Sequence, residues 1–366
     1  MKADVYDRLA DHYRGLGQPP QQERLEDLLE EIFTPLEAEV LLALPNDLIP
    51  LQTVALDDLI EKVGVARQEV VDILESLSRR GLVFSGTTMQ GETGYALLQK
   101  GFGFSQTFFW KGEKSPFAKK MAELLGRRRE RKSPDKTPEI KQTLPNQFIP
   151  VDRAIESQMQ GVYPFTMLEQ VVQQAKVIAV AHCPCRMRAQ LLGRGCDHPL
   201  EVCLKFDDLA EYLIEREIAR PISKEEALEI ISKAEEDGLV HFVDNALGDV
   251  KHNCNCCGCC CWALGPIKRR EVPRDVIMAT YFVRQTDEQC CIGCGDCLEV
   301  CPIDALSLDN GLAAVDEEWC IGCGLCVTKC PKGAAKLKIR SDRVPPQNFR
   351  TLHETILKEK GFSQSF

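Results

Sequence analysis

Long apolar runs are missing from this sequence. The longest, around Val177–Ala181, is strand-sized, far short of the roughly 18–20 residues that a membrane-spanning helix needs. A membrane-spanning chain is therefore excluded. The start, MKADVYDRLADHYRG, is acidic and polar rather than basic and then apolar, so it is not read as a secretory leader and the cytoplasm is the expected location. Phosphate-binding glycine loops are missing too. Neither G-x-x-x-x-G-K-[ST] nor a strand-linked G-x-G-x-x-G occurs, and Gly101-Phe-Gly103 leads into no phosphate-binding helix, so no nucleotide, flavin or nicotinamide site is read. Basic residues are outnumbered by acidic ones, 45 Lys and Arg against 55 Asp and Glu, for a net charge of −10. What remains is a chain of 366 residues with ordinary apolar (44%) and charged (27%) fractions, long enough for two or three domains.

Cysteine is abundant: 19 residues. The odd number, the chain length and the absence of an export signal argue against a disulfide framework. The spacing does so as well, because most of the cysteines stand in Cys-x-x-Cys and Cys-Cys runs, which in a reducing compartment read as metal or iron–sulfur ligands.

Charge divides the chain. Residues 1–100 carry 9 Lys and Arg against 18 Asp and Glu, residues 101–150 carry 11 against 5, and the rest is mildly acidic. The basic, proline-containing stretch 101–150, with Arg127–Lys132 at its centre, reads as a linker. Before it, apolar residues recur at helical spacing. Leu25, Leu28, Leu29 and Ile32 form one such set, and Val70, Val71, Leu74 and Leu77 lie on a second helix over Arg67–Arg79. Two short strands follow, Leu82–Phe84 and Tyr95–Leu98. This order resembles a winged-helix domain over residues 1–100. The acidic surface disfavours nucleic acid, because phosphate contacts dominate DNA affinity, and favours protein docking.

Residues 271–343 hold the strongest motif. Cys291-Ile-Gly-Cys294-Gly-Asp-Cys297-Leu-Glu-Val-Cys301-Pro302 recurs 29 residues later as Cys320-Ile-Gly-Cys323-Gly-Leu-Cys326-Val-Thr-Lys-Cys330-Pro331. It resembles the bacterial ferredoxin that carries two [4Fe–4S] clusters, whose C-x2-C-x2-C-x3-C-P run is a standard signature. That resemblance implies one cluster on Cys291, Cys294, Cys297 and Cys330, and another on Cys320, Cys323, Cys326 and Cys301. Glycines 293, 295, 322 and 324 are expected to let backbone amides approach the sulfurs. Strands are expected at Leu306–Leu308, Ala313–Val315 and Ala335–Ile339. Cys290 lies outside the motif and reads as a spare thiol. Lys329, Lys332, Lys336 and Lys338 offer a face for an acidic redox partner.

The region 151–270 reads as a cysteine-rich α/β domain. A helix over Phe165–Lys176 and a strand over Val177–Ala181 lead to His182-Cys183-Pro-Cys185-Arg186. A helix over Phe206–Ile218, a capping box Ser223-x-x-Glu226 and a strand at Leu239–Phe242 come next. Ten cysteines are candidate ligands for further iron–sulfur clusters: Cys183, Cys185, Cys196, Cys203, Cys254, Cys256, Cys257, Cys259, Cys260 and Cys261. One cluster needs about four ligands and two need about eight, so one or two additional [4Fe–4S] clusters are expected, with zinc at one four-cysteine set as the competing reading. Arg186, Arg188 and Lys205 are candidates to balance cluster charge. His182, His198 and His252 flank cysteines and read as hydrogen-bonding neighbours more than as ligands. The run Cys183–Arg186, the pair Cys196 and Cys203, Gly238–His241 and the run Cys254–Cys261 resemble a domain that precedes ferredoxin modules in anaerobic bacteria and archaea. That resemblance implies an iron–sulfur electron-transfer protein and supplies no substrate.

The expectation is thus an α+β multidomain protein: winged helix, cysteine-rich α/β domain, ferredoxin-like 2[4Fe–4S] module, and a C-terminal tail helix within 344–366. It would relay low-potential electrons between a donor and a partner oxidoreductase. A redox-sensing transcription regulator and a reductase with an open-site central cluster are the two other readings.

Overall fold

Helix formation in the N-terminal region follows local sequence rules. In the computed structural model, which describes residues 4–15, 25–99, 102–126, 143–155, 168–340 and 344–362, helices Val5–Gly15, Leu25–Ile32 and Pro35–Ala43 bury Leu9, Tyr13, Leu29 and Leu41 against one another. The third helix opens with a capping box. Thr34 Oγ1 accepts from the Glu37 N–H at 3.2 Å and Glu37 accepts from the Thr34 N–H at 2.7 Å, so two otherwise orphaned donors are satisfied. Strand β1 (Val54–Ala55), helix Leu56–Val63 and helix Arg67–Arg79 follow. The hairpin of β2 (Val83–Thr87) and β3 (Thr93–Leu97) completes a three-stranded antiparallel sheet in the order β1-β3-β2.

The stretch 101–150 is not a bare linker. Helices Thr107–Trp110 and Pro116–Gly126 fold onto the N-terminal helices and bury Phe104, Phe109, Trp110 and Met121. Asn146–Ile149 forms the edge strand β4 of the central sheet. Buried aromatics outweigh the basic composition in the first part, and the Arg127–Lys132 run lies outside the described residues. So do residues 165–167, the expected start of the helix seen at Leu168–Gln174.

The central sheet has six strands: β4, β5 (Ile178–His182), β6 (Glu201–Phe206), β7 (Arg220–Pro221), β8 (Val240–Asp244) and β9 (His252–Cys256). Their order is β4-β8-β9-β6-β5-β7 and every pairing is antiparallel. The region is therefore an antiparallel α+β arrangement, and its site does not lie at the carboxyl ends of parallel strands. Alternation along the strands sorts the faces. Ile178, Val180, Leu204 and Phe206 pack under helices Leu168–Gln174 and Lys224–Glu236, while Ala181 and Cys203 face the N-terminal region. Helix Asp207–Glu215 joins the two regions. Tyr212 donates to Val83 O at 2.7 Å and Arg216 donates to Ser78 Oγ at 2.9 Å. Ser223 caps helix Lys224–Glu236 by accepting from the Glu226 N–H, but the Glu226 carboxylate pairs with Arg220 at 2.8 Å, so the expected reciprocal box is half formed.

In the last region β10 (Phe282–Thr286) pairs with β13 (Ala335–Ile339), and β11 (Leu306–Asp309) pairs with β12 (Leu312–Val315). Asn310 and Gly311 both take positive φ (49° and 79°), as a two-residue hairpin turn requires. Helix Phe349–Glu359 returns to the N-terminal core, with Phe349 edge-on to Phe102 at 5.4 Å.

Candidate iron–sulfur and thiolate centres

The ferredoxin-like repeat builds two equivalent cradles. Short helices Asp296–Glu299 and Leu325–Thr328 present Cys297 and Cys326, each entered through a left-handed glycine, Gly295 (φ 88°) and Gly324 (φ 79°). Gly322 has a second reason to be glycine: a Cβ there would meet Phe282 O at 2.2 Å. Cys291, Cys294, Cys297 and Cys330 surround one hollow. Cys301, Cys320, Cys323 and Cys326 surround another. In each, three thiols come from one repeat and the fourth from the other.

Donors converge on these sulfurs. The N–H of Ala305 donates to Cys301 Sγ at 3.3 Å, that of Ala334 to Cys330 Sγ at 3.2 Å and that of Arg284 to Cys320 Sγ at 3.5 Å. Burial pushes Cys330 up, but the backbone N–H groups of Ala335, Lys332, Ala334 and Gly333 overcome it and leave the thiol lowered. Burial raises Cys326 to about 12, with the neighbouring Cys320 adding to the effect. Four thiols crowded in this way ionise together only beside compensating positive charge, which iron supplies. Such a donor set, arranged around a hollow, fits a [4Fe–4S] cluster, whose chemistry is one-electron transfer.

Arg284 on β10 lies outside both cysteine motifs. Its side chain is buried and lines both hollows. Nη2 lies 4.0 Å from Cys297 Sγ, and Nη1 donates to Ala313 O at 3.2 Å and to Thr286 Oγ1. The sequence signal is slight: an arginine directly after the apolar run Tyr281-Phe282-Val283, ahead of the first motif cysteine.

Residues 290–334 match the family model of the 4Fe-4S dicluster domain. This segment is an iron–sulfur domain. No curated protein and no solved structure matches the chain. None of the nineteen cysteines is paired in a disulfide.

The ten central cysteines fall into two groups. Register explains one of them. Cys203 on β6 pairs with Cys254 on β9, and alternation places Cys256 on the same face. Sulfur neighbours then run from Cys203 through Cys254, Cys256, Cys261 and Cys185 to Cys183. In the other group, the Sγ atoms of Cys196, Cys257, Cys259 and Cys260 all lie within 4.8 Å of one another. Arg186 is fully buried between the groups. Its Nη1 donates to Asn255 O at 3.1 Å, and Nε and Nη2 have no hydrogen-bond partner. Burial alone would lower Arg186, but the sulfurs of Cys183, Cys257 and Cys256 override it and raise it. Lys205 is also buried, with Nζ 4.7 Å above the Trp110 ring, and it acts on Cys203 and Cys254. Arg188 donates to Leu125 O at 3.5 Å and acts on Cys185.

The three flanking histidines each have a partner other than sulfur. His182 Nδ1 bonds Trp110 O at 3.2 Å, His198 Nδ1 pairs with Asp237 at 2.5 Å, and His252 Nδ1 lies 3.1 Å from Asp244. Cys290 is exposed and lines neither hollow. Central and ferredoxin regions touch through Gly258, where a Cβ would meet Pro302 O at 2.0 Å. Cys254, Cys256 and Cys261 share one packed cluster with Cys301, Cys320 and Cys323. Among the described residues no helix is long and apolar enough to cross a membrane.

Proposed function

We propose that the chain is an electron-transfer protein that relays low-potential electrons between a donor and a partner oxidoreductase in the cytoplasm of an anaerobe. The observation that carries this reading is contiguity. Two thiol-lined hollows share Arg284, and the second adjoins the central cysteines across Gly258 and Pro302. In this reading Cys291, Cys294, Cys297 and Cys330 hold one cluster, and Cys301, Cys320, Cys323 and Cys326 hold the other. The buried series Cys203, Cys254, Cys256, Cys261, Cys185 and Cys183 supplies ligands for a further centre. Lys332 rims the first hollow and Lys329 and Lys336 are exposed nearby, a face suited to an acidic partner.

The N-terminal order of helix, strand, two helices and hairpin supports a winged-helix reading for residues 1–100, used for docking. Arg67 pairs with Asp57 at 2.5 Å and Arg80 with Glu37 at 2.6 Å, so the helix that would read DNA has two of its cations paired with acidic residues. Tight, salt-sensitive DNA binding would favour the transcription-regulator reading instead.

The test is an anaerobic count of iron and acid-labile sulfide on the whole protein, with redox-titrated EPR on the same sample. About twelve iron atoms, with a sulfide for each, and a third reducible signal are expected. About eight would confine redox chemistry to the ferredoxin-like region and overturn the central relay station. Spectra that respond to a small-molecule substrate would move the assignment to a reductase.

A further inference from the structure

We propose that Cys196, Cys257, Cys259 and Cys260 form a closed tetrahedral site for a single zinc ion, separate from the iron–sulfur centres. The assignment does not depend on the electron-relay reading.

Size decides it. Cys196 Sγ lies 3.5 Å from Cys260 Sγ and 4.0 Å from Cys257 Sγ, and all four sulfurs fall within 4.8 Å. Four thiolates at about 2.3 Å from one tetrahedral ion stand about 3.8 Å apart. In a [4Fe–4S] cube each thiolate binds a different iron, so the cube itself holds the sulfurs further apart. The same chain provides the comparison: its eight ferredoxin-type thiols surround open hollows. Among the described residues no other group of three or more Cys, His, Asp or Glu ligand atoms is drawn so close.

The sheet explains why distant residues meet. Strand β6 runs antiparallel to β9 with Cys203 opposite Cys254. The loop before β6, which carries Cys196, therefore lies at the same end of the sheet as the turn after β9, which carries Cys257, Cys259 and Cys260. An ion there ties the two together and fixes the turn whose Gly258 rests on Pro302.

Charge is the second, independent observation. Four thiolates around a divalent ion carry a net double negative charge. The buried Arg186 guanidinium stands between the two groups, with Cys183 and Cys257 the sulfurs that act on it most, and no oxygen or nitrogen pairs with its Nε or Nη2. A cation left in that position is costly unless an anion faces it. The set contains four soft ligands and leaves no position for water or substrate, which is the pattern of structural zinc.

The test uses whole protein purified without oxygen, with zinc, iron and labile sulfide measured on each sample. Wild-type protein is expected to hold one zinc per chain beside its iron and sulfide. Cys260→Ser is expected to lose that zinc while iron, sulfide and the EPR signals of the ferredoxin-type clusters stay unchanged; this also shows that the variant is folded. Cys259→His at the exposed position is expected to retain zinc, since three cysteines and a histidine form an ordinary zinc set. Cys290→Ser should leave every metal unchanged. Cobalt substituted for zinc should show the visible bands of a tetrahedral tetrathiolate ion, absent in Cys260→Ser. Loss of iron from Cys260→Ser, with or without sulfide, overturns the proposal, and so does wild-type protein that contains no zinc.

Discussion

Arg284 shows how much one residue adds to a site that cysteines define. Its guanidinium faces both hollows and its backbone N–H reaches Cys320. A reduced cluster carries one more negative charge than the oxidised cluster, so a nearby cation favours reduction and raises the potential. Arg284→Met is therefore expected to lower the potential of both clusters, by on the order of 50–100 mV at the reduced effective dielectric of a protein interior. Arg284→Lys should recover most of the shift because charge matters more here than fork geometry. EPR-monitored redox titration of both variants checks this, and a shift confined to one cluster would contradict the shared placement. Arg186 has the same character among the central thiols: a buried guanidinium whose nearest unsatisfied interest is negative sulfur.

Among the elements, the turn after β9 couples the two cysteine regions. Gly258 stands where a methyl group would overlap the Pro302 carbonyl, and backbone on backbone cannot give way. Gly258→Ala is expected to destabilise the protein by about 1–3 kcal/mol through overpacking and, on the proposed relay, to slow electron exchange between central and ferredoxin-like centres. Gly248→Ala, whose added Cβ would lie 3.7 Å from Gln347 O in ordinary contact, serves as the neutral control. Anaerobic thermal unfolding and reduction kinetics of both variants make the comparison. Local sequence announced many elements well. Helix Arg67–Arg79 has the expected bounds, and Ala335–Ile339 is a strand as expected. Strand β10 was not visible, because Phe282–Thr286 becomes a strand by pairing with β13 some fifty residues later. The helices of 102–126 depend on distant packing in a similar way: within a stretch of basic composition, Phe104, Phe109, Trp110 and Met121 bury against helices far back in the chain.

At the scale of the whole molecule, one packed cluster runs from the N-terminal helices through Ala181, Met187, Leu209 and Leu213 to Phe349 and Leu357. A second joins the central sheet to the ferredoxin-like strands. Unfolding is accordingly expected to be cooperative across these boundaries. Removal of residues 1–126 would expose Leu209, Leu213 and Ile218 among others, each worth about 1.5–3 kcal/mol of burial. The shortened chain is expected to aggregate or melt well below the intact protein, which anaerobic calorimetry and gel filtration would show; a truncated protein with unchanged melting would break this account. The sequence by itself determined the iron–sulfur domain, because C-x2-C-x2-C-x3-C-P is a local pattern whose ligand spacing is set by the backbone of one short loop. It also brought ten further cysteines into view as candidate ligands. Only the tertiary structure decided how those ten divide, since Cys196 meets Cys257, Cys259 and Cys260 across some sixty residues through the antiparallel register of β6 and β9. Arg284 and Arg186 likewise became meaningful only on folding. What a buried charge does depends on the groups that surround it, and those are gathered from separate strands.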